Sequence, residues 1–222
     1  MIKRLAVIPA RSGSKRIKNK NLQKIGKKSL LENCIEKCLS SKIFKEIHVS
    51  TDSEFFLNKI KKYKLKNNFL RPKILSDDKS PVFDVLKYVI KEYKRKNQFF
   101  DEVWLVFATN PFISKKHLLE ASKLYNKNKK KFSIMSVSKY NFPIEWAHEI
   151  KNKNLEPCFP KELKNNSSKF KPKFCDAGMF VIYQKDFLKK KKLNYKPYEL
   201  SLWDSVDIDN IDDLELARKL YT

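Results

Sequence analysis

The chain has 222 residues, of which 41% are hydrophobic, and these proportions suit one domain with a full core and at most a small appendage. The net charge is +24, but lysine is spread along the whole chain and no nucleic-acid-binding motif appears, so we favour a small polyanionic substrate over a nucleic-acid partner. No apolar run approaches the ~20 residues of a membrane span, and the first run is too short for a signal peptide, so we expect a cytoplasmic protein without membrane contacts.

Strand-like and helix-like segments alternate through the first 138 residues. A first strand at Leu5–Ile8 precedes a helix that begins at Ser29, where Glu32 completes a capping-box pattern. The later predicted elements are, in chain order, a strand at 46–50, helices at 53–63 and 81–94, a strand at 103–107, a helix at 115–125 and a strand at 132–137. The run VWLVF at 103–107 is continuously apolar, which is typical of a parallel strand buried on both faces.

The alternation breaks between residues 139 and 174, a segment with several prolines and short strand-like pieces. A structureless loop this long is unusual inside a compact domain, so we interpret the segment as a β-arm that packs on a partner subunit. The alternative is a flexible surface insertion. Regular elements resume with a strand at 179–183, a helix at 186–191, a strand at 205–208 and a helix at 210–220. The sequence therefore predicts an α/β fold with a mostly parallel sheet and helices on both faces.

A small basic loop directly follows the first strand. Residues 9–21 read PARSGSKRIKNKN, which combines one glycine, two serine hydroxyls and several cations. Ligands of α/β folds bind past the carboxyl ends of strands, where glycine permits close backbone approach and Arg and Lys supply charge for phosphates. The loop matches neither common glycine-rich phosphate motif, so its residues alone leave a phosphate site and a solvated basic loop as equal alternatives.

Two aspartates flank Ile208 just before the last predicted helix. On a strand, the carboxylates of Asp207 and Asp209 would point to the same side and offer oxygen ligands to Mg²⁺. The alternative is that Asp209-Asn210 caps the helix, and the pattern alone favours the cap. The cysteines and histidines show no spacing typical of a zinc site, so the thiols are interpreted as reduced packing groups.

Four segments together resemble the CMP-sugar synthetases, the cytidylyltransferases of nine-carbon acidic sugars. They are PARSGSKRIKNKN at 9–21, STD at 50–52, LRPKILSDDKSP at 70–81 and DSVDIDNIDDLELA at 204–217, in the family's order across nearly the whole chain. LRPKILSDD and the Asp176-Ala177-Gly178 segment are most similar to the pseudaminic acid branch. The resemblance implies a three-layer Rossmann-like nucleotidyltransferase fold with a small β-arm for dimerisation. The nucleotide-binding catalytic domain would comprise 1–138 and 175–222, and 139–174 would be an inserted sugar-pocket and dimerisation arm.

The resemblance also implies CTP and an acidic nine-carbon sugar as substrates, Mg²⁺ as cofactor and a homodimer. A sugar 2-hydroxyl would attack the α-phosphorus of CTP, and pyrophosphate would leave. The residues implied to be catalytic are Arg11, Lys15, Lys20 and Asp209, and those implied to hold the metal are Asp207 and Asp209. The residues implied to bind the nucleotide are Ala10, Arg11, Ser12, Gly13, Ser14, Lys15, Asn21, Arg71 and Ser80. The residues implied to bind the sugar are Lys169, Asp176 and Gly178.

The chain departs from the family pattern at positions expected to face the sugar. Phe107-Ala108 stands where many members have a glutamine, NSSK at 166–169 lacks the arginine and glutamine of an Arg-x-Gln-Asp stretch, and Met179 replaces a further glutamine. One alternative is therefore a related enzyme for sialic acid, legionaminic acid or an eight-carbon keto sugar acid. A more remote alternative is a non-enzymatic, basic RNA-binding protein.

Overall fold

A computed structural model describes residues 2–66, 69–128, 131–184 and 186–221 of the chain. Its α-helices are α1 (Leu30–Ser41), α2 (Glu54–Ile60), α3 (Val82–Arg95), α4 (Lys115–Lys127) and α5 (Ile211–Leu220). Its strands are β1 (Arg4–Pro9), β2 (Lys24–Ile25), β3 (Lys28–Ser29), β4 (Glu46–Ser50), β5 (Glu102–Val106), β6 (Ser133–Lys139), β7 (His148–Lys151), β8 (Asn154–Pro157), β9 (Phe174–Gln184) and β10 (Tyr195–Glu199). The two ends of the predicted catalytic domain, residues 1 and 222, lie outside the described residues.

The central sheet has six strands in the order β10-β6-β9-β5-β1-β4. β1 is parallel to both β4 and β5, and β6 is parallel to β10, whereas β9 is antiparallel to its two neighbours. One face of the sheet packs against α1, α2 and α4, and the other packs against α3. The predicted three-layer α/β architecture with a mostly parallel sheet is therefore confirmed.

A third apolar cluster lies at one end of the sheet and determines where the basic loop runs. It joins Ile17 of that loop to Ile25 of β2, Ile208 and two residues of α5, and all of them are buried. α1 starts beside this cluster with the predicted capping box, in which the Glu32 carboxylate accepts from the Ser29 amide at 2.9 Å. The packing holds the basic loop against the residues that precede α5.

Three sequence predictions about regular structure are wrong or incomplete. Residues 205–208 do not form a strand, because a 3-10 turn at Trp203–Ser205 occupies the start of this segment, and the Ile208 amide donates to the Thr109 carbonyl at 2.9 Å without a strand ladder around it. The helix predicted at 186–191 is a single 3-10 turn, Phe187–Lys189. β9 begins five residues earlier than the predicted strand because its first residues pair with the end of β6 after a bulge.

The 139–174 segment contains an antiparallel hairpin of β7 and β8, which stands apart from the central sheet. Phe142, Ile150 and Leu155 are 74%, 76% and 70% exposed there. The β-character of the segment is confirmed, whereas its roles in the sugar pocket and in dimerisation stay predictions. Among the helices of the described ranges, none is both long and apolar enough to span a bilayer.

Candidate active site

A cleft of about 320 Å³ lies past the carboxyl ends of β1 and β5. Its walls come from the basic loop after β1, the region 71–85, the turn after β5 and the residues before α5. The predicted site residues that line it are Arg11, Ser14, Lys15, Lys20, Asn21, Arg71, Ser80, Asp207 and Asp209. Segments far apart in sequence thus meet at the end of the sheet where α/β folds bind ligands.

Two cations of the basic loop converge on a single carboxylate in this cleft. Arg11 Nη2 and Lys15 Nζ each lie 2.5 Å from an oxygen of Asp78. Hydrogen bonds from Lys15 and Arg11 hold the pKa of the Asp78 carboxyl below its ordinary value. Two cations that converge on one anionic group form an arrangement that also suits a phosphate.

Arg71 contributes a buried positive charge to the same cleft. Its Nη2 donates to the Ser50 carbonyl at 2.5 Å and its Nε donates to Ser50 Oγ at 3.2 Å. Burial lowers the pKa of Arg71 to about 10, against the opposing charge of Asp52. The guanidinium therefore stays protonated at neutral pH while the end of β4 fixes its orientation.

Lys20 and Asp209 form a contact at the opposite wall. Lys20 Nζ donates to Asp209 Oδ1 at 3.0 Å and to the Ile208 carbonyl at 2.9 Å, and Arg16 Nη2 lies 3.2 Å from the same Asp209 oxygen. Burial would raise the pKa of Asp209, but the hydrogen bond and charge of Lys20, followed by those of Arg16, hold it below its ordinary value. Asp209 is therefore an ionised carboxylate at the surface of the cleft.

Asn210, and not Asp209, supplies the side-chain cap of helix α5. Asn210 Oδ1 accepts from the Asp213 amide at 3.0 Å, and Asp213 Oδ2 accepts from the Asn210 amide at 2.9 Å, which completes a capping box. The Asp209 side chain takes no part in that cap. Its carboxylate instead lines the cleft, where it is paired with Lys20 and Arg16.

Asp207 combines two features that suit a metal ligand, namely a buried carboxylate and an oxygen atom without a donor within the described ranges. Its Oδ1 atom is buried and lacks a hydrogen-bond partner among the described residues. Burial, opposed by a hydrogen bond from Thr109 and reinforced by the charge of Asp209, raises the pKa of the Asp207 carboxyl. A buried carboxylate oxygen without a donor is costly unless a cation reaches it. The described residues contain no group of three or more candidate metal-ligating side chains, so the protein would supply two carboxylates.

Such a pair suits Mg²⁺, which usually takes one or two carboxylates and completes its shell with water and substrate phosphates. The donor set of Asp207 and Asp209 consists of hard oxygens in the same cleft as the cations Arg11, Lys15 and Arg71. The residues present therefore fit the predicted cation.

Gly178 lies against the Asp207 side chain and does not line the cleft. Its φ is +58°, and a Cβ added there would lie 2.7 Å from Asp207 Cγ. Only glycine combines this backbone conformation with so close an approach. The structure therefore associates Gly178 with the aspartate pair, whereas its predicted contact with the sugar stays a prediction.

The cleft lining does not include the remaining predicted site residues, namely Ala10, Ser12, Gly13, Lys169 and Asp176. The Ser12 hydroxyl, expected to bind the nucleotide, donates instead to Asp52 Oδ2 at 2.9 Å. Lys169 is exposed and its Nζ donates to Asn165 Oδ1 at 3.2 Å. The contacts expected of these residues with nucleotide and sugar stay predictions.

Sequence reasoning missed four residues that shape the site: Arg16, Asp52, Asp78 and Thr109. Asp52 and Asp78 belong to the STD and SDD triplets, which lie in segments that resemble the family. Their partners could not be predicted, because each aspartate contacts the basic loop after β1, more than 35 residues away in sequence. Arg16 and Thr109 stand beside residues that were identified, and no pattern separates them from their neighbours.

The sequence pattern of the cytidylyltransferase family matches residues 5–222 of this chain. The pseudaminic acid cytidylyltransferase of Campylobacter jejuni serotype O:2 is 33% identical over 99% of this chain and 97% of its own length. The CMP-N,N'-diacetyllegionaminic acid synthase of Legionella pneumophila is 28% identical over 97% of this chain and 95% of its own length. The N-acylneuraminate cytidylyltransferase of Escherichia coli O18:K1:H7 is 31% identical, and the match covers 96% of this chain and 51% of that protein.

Solved structures agree with this fold. CMP:2-keto-3-deoxy-manno-octonic acid synthetase complexed with CTP matches with a TM-score of 0.72 and 17% identity, over 98% of each chain. At this identity the likeness establishes the fold alone. The match across residues 5–222 and the full-length relatives confirm the resemblance seen in the motifs. The chain belongs to the cytidylyltransferase family.

Proposed function

We propose that this enzyme joins CMP from CTP to the 2-hydroxyl of pseudaminic acid and releases pyrophosphate. The observation that carries the proposal is one cleft in which Arg11, Lys15 and Arg71 face a pair of aspartates, Asp207 and Asp209. This arrangement suits a triphosphate and a divalent cation. Pseudaminic acid is preferred over the sialic and legionaminic sugars because the relative that acts on it is 33% identical over nearly both full lengths.

The cations supply the electrostatic part of the reaction. Arg11 and Lys15 exchange Asp78 for the triphosphate, and the fixed, buried Arg71 adds a third positive charge. Nucleotidyl transfer depends mainly on positioning and on stabilising the charge that gathers on the departing pyrophosphate. Lys20, beside Asp209, adds charge at the opposite wall.

We assign Mg²⁺ to Asp207 and Asp209. The support is the buried Asp207 Oδ1, which has no hydrogen-bond partner in the described part of the chain, and the ionised Asp209, whose side chain takes no part in the cap of α5. When bound, the ion polarises the α-phosphate and aligns the triphosphate with the attacking hydroxyl. Because Gly178 has no side chain, the Asp207 carboxylate can occupy its position in the proposed metal site.

Lys169 and Asp176 are assigned as candidate contacts of the sugar, and the support for Asp176 is that its charge acts on the Asp207 carboxyl in the cleft. The arm exposes Phe142, Ile150 and Leu155, and burying such side chains in a second copy supports a homodimer. Because CTP is a metabolite of the cytoplasm, we also assign the enzyme to that compartment.

A pyrophosphate-release assay tests the proposed function. Purified protein is mixed with CTP, Mg²⁺ and one of four sugars: pseudaminic, legionaminic, sialic or 2-keto-3-deoxy-octonic acid. The proposal predicts release that requires all three components and is fastest with pseudaminic acid. Faster release with another sugar would reassign the substrate, and no release with any of them would refute the activity.

A further inference from the structure

Three consecutive residues at the end of β4, Ser50–Asp52, bond to two segments of the cleft, the basic loop and Arg71. The Ser50 carbonyl accepts from the Ala10 amide at 2.9 Å and from Arg71 Nη2 at 2.5 Å. The Thr51 carbonyl accepts from the Arg71 amide at 2.8 Å. The triplet thus bonds to the start of the basic loop and to the arginine that faces it.

Asp52 supplies the side-chain part of this connection. Its Oδ1 accepts from the Ser12 amide at 2.8 Å and its Oδ2 accepts from Ser12 Oγ at 2.9 Å. Ser12 follows Arg11 directly, and its carbonyl accepts from the Ser14 amide at 2.9 Å. These two hydrogen bonds form a clamp that restrains the backbone at Ser12, between Arg11 and Gly13.

Among the described residues, the loop has few restraints near this point besides the ion pairs of Arg11 and Lys15 with Asp78. A Cβ added to Gly13 would meet nothing within 4 Å, and the Lys15 side chain is 81% exposed. Arg11 is bonded to Asp78, which the triphosphate must replace. Once that exchange occurs, the Asp52–Ser12 pair remains to fix the direction in which Arg11 points.

We infer that Asp52 is a positioning residue, which orients Arg11 through Ser12 and so sets the affinity of the cleft for the triphosphate. The inference rests on the proposed function, because it concerns the binding of CTP. Asp52 does not line the cleft, so it acts through the loop. Preorganised cations bind and stabilise phosphates better than mobile ones because their ordering has no further entropic cost.

The carboxylate has a second possible action, on Arg71, whose pKa its charge raises. The two actions are separable by substitution. Asp52→Asn keeps an acceptor oxygen for the Ser12 amide and a polar group for the hydroxyl, but removes the charge. Asp52→Ala removes both hydrogen bonds together with the charge. A clamp predicts that the two variants differ, whereas a purely electrostatic role predicts that they match.

Asp101 offers a matched control. Its Oδ2 accepts from the Lys3 amide at 2.9 Å and joins the chain before β1 to the start of β5, at the opposite end of the same strands. Asp101→Ala thus removes an aspartate-to-backbone bond of similar length without touching the cleft. If both alanine variants lose the same stability, a difference between them in KM or in the rate of loop cleavage comes from the clamp and not from overall stability.

The test measures kcat and KM for CTP, together with the rate at which trypsin cuts after Arg11, Lys15 and Arg16, followed by mass spectrometry. Asp52→Ala is expected to raise KM for CTP about tenfold with a smaller change in kcat, as loss of ground-state binding does. It is also expected to speed cleavage in the loop. Asp52→Asn should stay within about threefold of wild type, and Asp101→Ala should match wild type in both measurements.

The inference is overturned if Asp52→Ala keeps KM for CTP within about twofold of wild type, or if Asp52→Asn is as impaired as Asp52→Ala. If Asp52→Ala does not fold, Ser12→Ala replaces it: this variant loses one bond of the pair, and an unchanged KM would contradict the clamp. If wild type itself neither binds nor turns over CTP, the proposed function fails. The trypsin comparison then still decides whether Asp52 restrains the loop.

Discussion

Replacing Gly178 by alanine tests whether the position of the Asp207 carboxylate controls activity. The new Cβ would lie 2.7 Å from Asp207 Cγ, which needs roughly 0.8 Å more separation to reach ordinary van der Waals contact. A misplacement of about 1 Å in a catalytic group can cost about 100-fold in rate. We therefore expect kcat/KM of Gly178→Ala to fall about 100-fold, with a weaker response to added Mg²⁺.

Gly26 provides the control for backbone strain. Its φ is also +58°, but a Cβ there would lie 3.2 Å from a ring atom at the flexible end of Tyr221, away from the aspartates. Both variants place alanine in the left-handed region, at a cost of about 1–2 kcal/mol, or a few degrees in Tm. Gly26→Ala should therefore lose stability and keep its activity.

Pyrophosphate release across a Mg²⁺ titration, together with thermal unfolding, separates the two effects. The expected result is a similar fall in Tm for both variants and a fall in kcat/KM for Gly178→Ala alone. Equal kcat/KM for the two folded variants would mean that Asp207 need not hold its position, and the assignment of Asp207 as a metal ligand would be withdrawn.

Three further predictions follow from other contacts. Asp209→Ala should lower kcat at least about 100-fold at any Mg²⁺ concentration, whereas Glu215→Ala, which removes an exposed carboxylate of α5, should keep full pyrophosphate release. Asp78→Asn should tighten CTP binding about two- to fivefold by calorimetry, because a competing anion is removed from Arg11; weaker binding would instead make Asp78 part of the CTP site. Burial lowers the pKa of His48 from 6.5 to about 3, so the folded protein favours the uncharged imidazole. This contribution to the free energy of unfolding is fully present above pH 6.5, and it decreases by about 1.4 kcal/mol per pH unit as the pH falls toward 3. His48→Phe should flatten the dependence of Tm on pH between 6.5 and 4.5, and an unchanged slope would contradict this origin.

The sequence predicted the interior of the fold better than its margins. The strand β5 at Glu102–Val106 is buried on both faces, and the apolar run at 103–107 was sufficient to identify it. β10 was missed because its residues, YKPYE, carry a lysine and a proline at the edge of the sheet, where neither continuous burial nor alternation is needed. Edge strands depend on their neighbour for existence, so a local pattern seldom predicts them.

The candidate site shows the same division between local pattern and long-range contact. Asp207 and Asp209 both line the cleft with the buried Ile208 between them, although their segment is not a strand, and their role as metal ligands stays a prediction. Asp78 was not predicted, since its contact with Arg11 joins two loops that only the folded chain brings together. The pairings that hold the site therefore required the structure.

The proposed reaction is nucleotidyl transfer in the cleft between the basic loop and the two aspartates. Phosphorus-31 NMR of the enzyme with CTP, Mg²⁺ and pseudaminic acid follows the α-phosphorus itself and so observes this transfer. We expect one phosphodiester and free pyrophosphate to replace the triphosphate signals in equal amounts, and we expect Arg11→Ala to slow this conversion strongly. Persistence of CTP, or its conversion to CMP without a sugar phosphodiester, would refute the transfer.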